Sequence, residues 1–136
     1  MTNIDYRTTS PDPTAFFDLF ETTEWNEAYR ASPDELARAN AASWRTLSAF
    51  EGDRLVGFGR VVGDGVLHAT VFDLIVHPTH RGRGIGSEIL CRLIDECRRY
   101  GIRDVQLFAA RGKRSFYEQH GFTARPDDAP GMELRR

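Results

Sequence analysis

Residues 66–100 place a β-strand pattern, a glycine-rich turn and an amphipathic helix in direct succession. Residues 66–76 are mostly apolar, which predicts one long buried strand or two strands with a break. The turn Arg81-Gly82-Arg83-Gly84-Ile85-Gly86 follows, and over residues 84–100 apolar side chains recur at helical spacing. The sequence therefore predicts a strand, a tight loop and a helix that packs one face against a sheet.

Two helix starts and a hairpin precede this unit. Pro11-Asp12-Pro13 opens a first predicted helix, and Ser32-Pro33-Asp34-Glu35 contains the N-cap, proline and glutamate of a capping box. From Trp44 to Val62 apolar and polar residues alternate around the turn Glu51-Gly52-Asp53, which predicts two antiparallel strands.

Three further elements are expected after the long helix. Residues 105–109 predict a short buried strand, and residues 114–120 predict a short helix. A last strand is expected to begin at Phe122 and to resume near Met132-Glu133-Leu134. This order indicates a mixed α/β fold in which an antiparallel meander leads into a strand–helix–strand unit.

The nearly balanced charge of the chain excludes binding of polyanions by overall electrostatic attraction. Its 136 residues carry 18 Lys and Arg against 20 Asp and Glu, a formal net charge of -2. Such a chain has no general attraction to nucleic acid or to an anionic membrane. Its apolar stretches fall far short of the roughly 20 residues that span a bilayer, and the N-terminus lacks a signal-peptide pattern. We expect a soluble, cytoplasmic protein with a single domain, residues 1–136, that binds an anion only at a local site.

Neither the cysteines nor the histidines predict a metal site. Cys91 and Cys97 lie on one predicted helix and point about 120° apart, so they can neither pair nor hold a metal together. His77 and His80 flank Pro78 in an extended loop without a third ligand. We expect no metal.

The glycine-rich turn is a candidate phosphate site. Free backbone N–H groups and the positive end of the helix dipole converge where a strand ends and a helix begins. Arg81 and Arg83 add positive charge to this point. A nucleotide triphosphatase loop would require Gly-Lys-Ser/Thr, whereas Gly86 is followed by Ser87 and Glu88. A dinucleotide loop would follow the first strand of a parallel sheet, whereas this turn follows a meander.

Two segments resemble one family. Leu74-Ile75-Val76-His77-Pro78-Thr79-His80-Arg81-Gly82-Arg83-Gly84-Ile85-Gly86 resembles the acetyl-coenzyme A signature of the GNAT N-acetyltransferase superfamily, Arg/Gln-x-x-Gly-x-Gly/Ala after a Leu-x-Val-x-Pro strand end. Phe116-Tyr117-Glu118-Gln119-His120-Gly121-Phe122 is similar to the family's Phe-Tyr-x-x-x-Gly-Phe element. The resemblance covers roughly residues 44–124.

The resemblance implies an α+β (mixed α/β) GNAT-like fold. Its central, mostly antiparallel mixed sheet would have six to seven strands flanked by about four helices. The strand before the loop would separate from its neighbour after Val105, and the pair would hold acetyl-CoA as cosubstrate. The implied cofactor-binding residues lie on this strand and loop: Leu74, Ile75, Val76, Arg81, Gly82, Arg83, Gly84, Ile85, Gly86 and Ser87.

The resemblance also implies direct attack of an amine on the acetyl carbonyl. An alkylamine has a pKa of about 10.4 and must lose a proton, and a leaving thiolate near pKa ~8.5 benefits from an acid. Tyr117 stands where the family usually has the acid. Asp73 is the first candidate base, because an acid within a buried strand is costly without a purpose. Water and four other side chains stay open as alternatives: Glu24, Glu27, His68 and His120.

The sequence says least about the acceptor substrate. Trp25, Tyr29 and Trp44 fit either an acceptor pocket or the core. Residues 126–132 are expected to form a loop over the acceptor side, where Asp127 and Asp128 would favour a cationic amine. We expect a small-molecule amine, with a protein or peptide amine second. A transferase for longer acyl groups and a non-catalytic acyl-CoA-binding sensor of the same fold are the alternatives.

The chain departs from the family before Phe116. An Asn and a small residue are common there, whereas Arg111, Lys113 and Arg114 make this segment cationic. These side chains fit a phosphate of the cofactor, an acidic group on the acceptor, or a solvated helix start. Because many relatives dimerise, a homodimer is also open.

Overall fold

The sheet contains five strands that neighbour one another in chain order, in a computed structural model that describes residues 3–135. The strands are β1 Ile4–Arg7, β2 Arg45–Glu51, β3 Arg54–Gly63, β4 His68–Val76 and β5 Asp104–Leu107. The pairs from β1 to β4 are antiparallel, and β5 pairs parallel to β4. The predicted hairpin, long strand and strand–helix–strand unit are therefore confirmed.

The helices are α1 Pro13–Glu21, α2 Asn26–Tyr29, α3 Pro33–Ala41, α4 Ile85–Arg99 and α5 Arg114–Glu118, with a 3-10 turn at Pro78–His80. Helices α1 and α3 begin at the predicted starts, with Asp12 and Ser32 as their N-caps. The backbone N–H of Glu35 donates to the Ser32 side chain, and the Glu35 side chain accepts from the Ser32 N–H. The capping box predicted for α3 is thus present.

Two expectations about the architecture are wrong. The described residues form five strands rather than six to seven, while their five α-helices agree with the expectation of about four. No strand forms in residues 122–135, where the predicted last strand would lie. Pro126 and Pro130 lack the N–H that a sheet requires, and the Met132 and Leu134 side chains are 86% and 91% exposed. Because the segment has no buried apolar face, burial of apolar surface does not stabilise its pairing with the sheet.

Two short elements escaped the sequence analysis. Strand β1 has only four residues at the sheet edge, although Ile4-Asp5-Tyr6-Arg7 does alternate apolar and polar residues. Helix α2 also has four residues and lacks a side-chain cap, which is the local signal that marked α3.

The helices pack on both faces of the sheet. Phe58 of β3 faces α1, where its ring lies 4.6 Å from that of Phe16. The adjacent Gly57 and Gly59 face α4, and a Cβ built at Gly59 would lie 2.8 Å from Cγ2 of Ile89. Because side chains alternate across a strand, α1 and α4 cover opposite faces, and the glycines allow α4 to approach closely.

Strand β5 pairs with only the first four residues of β4. Their register runs from His68 and Asp104 to Val71 and Leu107. Beyond Val71 strand β4 keeps its pairing with β3, but β5 has ended. The two strands thus part at Leu107, two residues after the predicted point, and leave one edge of β4 open.

Asp64 provides a test of the β3–β4 turn. Its Oδ1 accepts hydrogen bonds from the N–H groups of Leu67 at 2.7 Å, Val66 at 2.8 Å and His68 at 3.1 Å. These bonds lower the Asp64 pKa from 3.8 to about 2. Because the pKa is lower in the folded state, the carboxylate stabilises the fold above about pH 4, and this contribution disappears as the pH falls through about 2.

We therefore expect an Asp64→Ala variant to be less stable at neutral pH and to lose less stability than the parent protein on acidification. Urea unfolding at a series of pH values from neutral to acid measures this difference. Equal loss of stability in both proteins would contradict it.

Candidate functional site

A cleft of about 1240 Å³ opens where β4 parts from β5. Its walls come from residues 71–76 of β4, from the start of α4, from α5 and from the connection between α1 and α2. Phe108, directly after β5, and Met132 and Glu133 of the C-terminal segment complete the lining. The open edge of β4 is therefore part of the wall of this cleft.

The glycine loop, residues 81–86, forms the part of the cleft suited to an anion. Gly82 and Gly84 have φ angles of +79° and +78°, in the left-handed region that favours glycine. Gly84 is the N-cap of α4 and provides no side chain to cap the first amides of that helix. These N–H groups have no acceptor within the helix and stand at its positive end. Arg81 also lines the cleft, so the loop offers the donors that a diphosphate requires.

The predicted cofactor residues divide into two groups. Most of them line the cleft: Leu74, Ile75, Val76, Arg81, Gly82, Gly84, Ile85, Gly86 and Ser87. Arg83 is outside this lining, and its guanidinium donates to Oε2 of Glu51, with Nη2 at 3.2 Å. The sequence predicts Glu51 only as a turn residue, so this pairing is a finding of the structure.

Tyr117 lies on α5 and lines the cleft together with Phe116. Its ring packs against those of Phe116 at 5.1 Å and Phe122 at 6.1 Å between centroids. Burial raises the pKa of the Tyr117 phenol above its usual 10. The hydroxyl consequently keeps its proton at neutral pH, as a general acid must.

Asp73 occupies a β-bulge of β4. Gly59 stands opposite both Asp73 and Leu74, and Asp73 has a φ angle of +54°. Its Oδ2 accepts a hydrogen bond of 2.8 Å from Nε of Arg60. The Arg60 Nη1 also donates to Oγ of Ser43 at 3.2 Å. The predicted base thus lines the cleft but is already ion-paired with Arg60.

Of the alternative bases, the structure brings one into the cleft. Glu24 lines it from the α1–α2 connection, with a φ angle of +67°. The other three lie outside the lining: Glu27, His68 and His120. His68 pairs with Asp104, and Nδ1 of His120 donates to the Phe116 carbonyl at 2.7 Å. Glu24 and Asp73 are therefore the carboxylates, among those predicted, that can meet an acceptor.

The remaining wall of the cleft is aromatic. Trp25 and Tyr29, which the sequence left open between pocket and core, line the cleft, whereas Trp44 packs on Tyr100 with ring centroids 5.5 Å apart. Phe72 and Phe108 are lining residues that the sequence analysis did not single out, although each stands at or beside the end of a strand pairing.

Several predicted charged residues have other surroundings. Lys113 lines the cleft, whereas Arg114 pairs with Glu118 at 3.4 Å. Asp127 and Asp128 are exposed and outside the lining. The acidic residue that the C-terminal segment does provide is Glu133.

Residues 3–135 contain neither a candidate metal centre nor a candidate membrane helix. In that part of the chain, no three His, Cys, Asp or Glu side chains are grouped so that they could hold a metal ion. Nor does any helix there combine the length and apolar character that crossing a membrane requires.

Comparison with known proteins identifies N-acetyltransferases among the proteins similar to this chain. The sequence model described as "Acetyltransferase (GNAT) family" matches residues 9–122. An uncharacterized N-acetyltransferase of the ycf52-like type from Prochlorococcus marinus is 41% identical over 73 residues, which are 54% of this chain and 41% of the relative. Serotonin N-acetyltransferase 2, a chloroplastic protein of Oryza sativa, is 37% identical over 83 residues, 61% of this chain and 42% of that protein.

A solved structure matches the whole fold. A GNAT family acetyltransferase from Streptococcus pneumoniae superposes with a TM-score of 0.82 at 27% identity, covering 100% of this chain and 98% of that one. By contrast, the matched region of this chain spans less than half the length of the curated relatives, 41% and 42% of the two above.

Proposed function

Because the chain belongs to the acetyltransferase (GNAT) family, we propose that it transfers the acetyl group of acetyl-CoA directly to a primary amine of a small molecule. The observation that carries this proposal is the single cleft that contains the glycine loop, Tyr117 and the carboxylates of Glu24 and Asp73. One cavity thus offers an anion site, a proton donor and groups that attract a cation.

The residues present fit acetyl-CoA as the donor. The first amides of α4 and the guanidinium of Arg81 would hold its diphosphate. The open edge of β4 at Leu74–Val76 offers backbone N–H and C=O groups for the amides of the pantetheine arm, as one strand pairs with another. Bound in this way, the thioester supplies the activated acyl group.

Side chains of the cleft then carry out the proton transfers. Asp73, Glu24 or a water takes a proton from the ammonium, and the free amine nitrogen forms a bond to the acetyl carbon. The carbon–sulfur bond breaks as Tyr117 donates its proton to the departing sulfur, and the nitrogen then loses its second proton, by way of water, to the Tyr117 phenolate. Burial of Tyr117 supports this assignment, because the phenol stays protonated until it is needed.

The cleft supports a cationic amine with an aromatic or apolar body as acceptor. Glu24 and Glu133 face the cleft without the guanidinium that accompanies Asp73, and Trp25, Phe72 and Phe108 provide aromatic surface. The name of the rice relative supports the same class, since serotonin is a primary alkyl amine with an aromatic body. Cytoplasmic location remains a proposal from the composition alone.

A panel of amines tests the function. Thiol release and acetylated product are measured with 2-arylethylamines, aliphatic amines and lysine-containing peptides at equal concentration. We expect the highest kcat/KM with the arylethylamines. Preference for peptides would favour protein acetylation, and acetyl-CoA binding without turnover on any amine would favour the sensor.

We expect Glu24→Gln to raise the KM for a cationic amine by about fivefold, because an exposed ion pair contributes roughly 1 kcal/mol. The KM for acetyl-CoA should stay unchanged. Steady-state kinetics against both substrates measure the effect, with Glu27→Gln, an acid outside the cleft lining, as the matched control. An unchanged amine KM in Glu24→Gln would remove this residue from acceptor binding.

A further inference from the structure

One carboxylate contacts both sides of the bend in the glycine loop. Glu51 ends β2, at the hairpin that precedes β3. Its Oε1 accepts a hydrogen bond of 3.0 Å from Nε2 of His80, and its Oε2 accepts from Nη1 and Nη2 of Arg83, both at 3.2 Å. The two partners bracket Arg81 and Gly82. A residue of a separate hairpin is therefore tied to the loop at two points.

The His80 side of this connection is buried. The His80 side chain is only 5% exposed, and its second ring nitrogen, Nδ1, lies 2.8 Å from Oγ1 of Thr79. The hydrogen bond from His80, followed by that from Arg83, holds the pKa of the Glu51 carboxyl below its ordinary value. Both ring nitrogens of His80 are thus engaged, and Glu51 stays charged at neutral pH.

The backbone of the loop makes such a connection useful. Gly82 and Gly84 both have positive φ angles, and glycine has more conformations to lose than any other residue. A loop with two such residues would sample many shapes without side-chain contacts on either side. Contacts at positions 80 and 83 limit this freedom and keep the amides at the start of α4 directed to one place.

We propose that Glu51 and His80 are positioning residues that hold the glycine loop in its anion-binding shape before the donor arrives. This inference rests on the proposed function, because it assigns the loop to the diphosphate of the donor. Preorganisation of this kind improves binding by reducing the entropy lost when the ligand is held. Arg83 then serves as a structural contact of the loop, and Arg81 is the arginine of the loop that lines the cleft.

The test compares two donors that differ in the part the loop would bind. Acetyl-CoA carries the diphosphate, whereas S-acetylpantetheine has the same thioester and arm without it. In Glu51→Ala we expect the KM for acetyl-CoA to rise about tenfold, as for loss of charge-assisted hydrogen bonds. The KM for S-acetylpantetheine and the kcat with either donor should stay unchanged. Glu51→Gln, which retains an acceptor oxygen, should recover part of the loss.

A matched control separates loop positioning from general stability. Glu96→Ala removes a comparable ion pair, that of Glu96 with Arg45, which joins α4 to β2 and lies outside the cleft. The carboxylates have similar exposure, 27% for Glu96 and 23% for Glu51. We expect Glu96→Ala to lower the melting temperature without changing the KM ratio of the two donors.

The outcomes distinguish the inference from the function on which it rests. An equal rise of KM for both donors in Glu51→Ala, or no rise for either, would overturn the positioning role while the parent protein still transfers acetyl groups. Failure of the parent protein to bind acetyl-CoA in calorimetry would overturn the proposed function itself. Because Glu51 is partly exposed at a hairpin, we expect Glu51→Ala to fold. Thermal unfolding checks this before the kinetics are compared.

Discussion

Tyr117→Phe is expected to lower kcat for acetyl transfer by about 10²- to 10⁴-fold, the usual contribution of a general acid. The substitution removes one hydroxyl and keeps the ring that packs against Phe116 and Phe122. Because the fold and the cleft lining are retained, KM for both substrates should change little. Stopped-flow measurement of thiol release under single-turnover conditions separates this chemical step from product release.

The pH dependence of the same variant gives a second readout. Burial raises the pKa of Tyr117, so the parent protein keeps its acid form throughout the neutral range and loses it only above pH 10. A decline of kcat at that alkaline limit should be present in the parent protein and absent in Tyr117→Phe. Tyr100→Phe, which changes a tyrosine that packs on Trp44 outside the cleft, is the matched control. Full turnover of Tyr117→Phe at every pH would contradict the assignment.

Gly86→Leu is expected to weaken acetyl-CoA binding by about 100-fold without unfolding the protein. A Cβ at Gly86 would lie 3.4 Å from Cγ2 of Val76 and 3.8 Å from Cζ of Phe116. These are ordinary contacts, but a longer side chain must extend from the first turn of α4 into the cleft that Gly86 lines. Overfilling of this kind costs roughly 1–3 kcal/mol, up to about two orders of magnitude in affinity.

Gly86→Ala is the control for this prediction. Its methyl group fits between Val76 and Phe116, and alanine is favoured over glycine in a helix by about 1 kcal/mol. We expect Gly86→Ala to raise the melting temperature and to bind acetyl-CoA nearly as the parent protein does. Calorimetric titration measures both affinities, and normal affinity in Gly86→Leu would place the donor elsewhere.

The elements with strong local signals could be predicted from the sequence. The strand, loop and helix of residues 68–99 follow from an apolar run, a cluster of glycines and a helical stripe, and α3 follows from its capping box. The expected strand near Met132 failed because an apolar residue without a buried face does not pair. Strand β1 was missed because its four residues are stabilised by pairing with β2, which is distant in sequence, and carry little local signal.

The sequence does not predict which side chains pair across the fold. Arg83 was predicted as a phosphate ligand from its place beside two glycines, yet it pairs with Glu51, 32 residues away. Asp73 was predicted as a base from its place in an apolar strand, but its pairing with Arg60 depends on the register and bulge of β3 and β4. Such pairs are set by tertiary geometry, whereas the loop amides are set by local backbone.

A single-turnover experiment with the protein in excess over acetyl-CoA tests the central claim, which is that one cleft holds donor and amine together for direct transfer. Free thiol and acetylated amine are quantified in the presence and absence of a 2-arylethylamine. We predict one thiol and one acetylated amine per acetyl-CoA when the amine is present, and neither product when it is omitted. Thiol release without the amine, accompanied by acetylated protein, would contradict direct transfer, and tight acetyl-CoA binding without product would contradict catalysis.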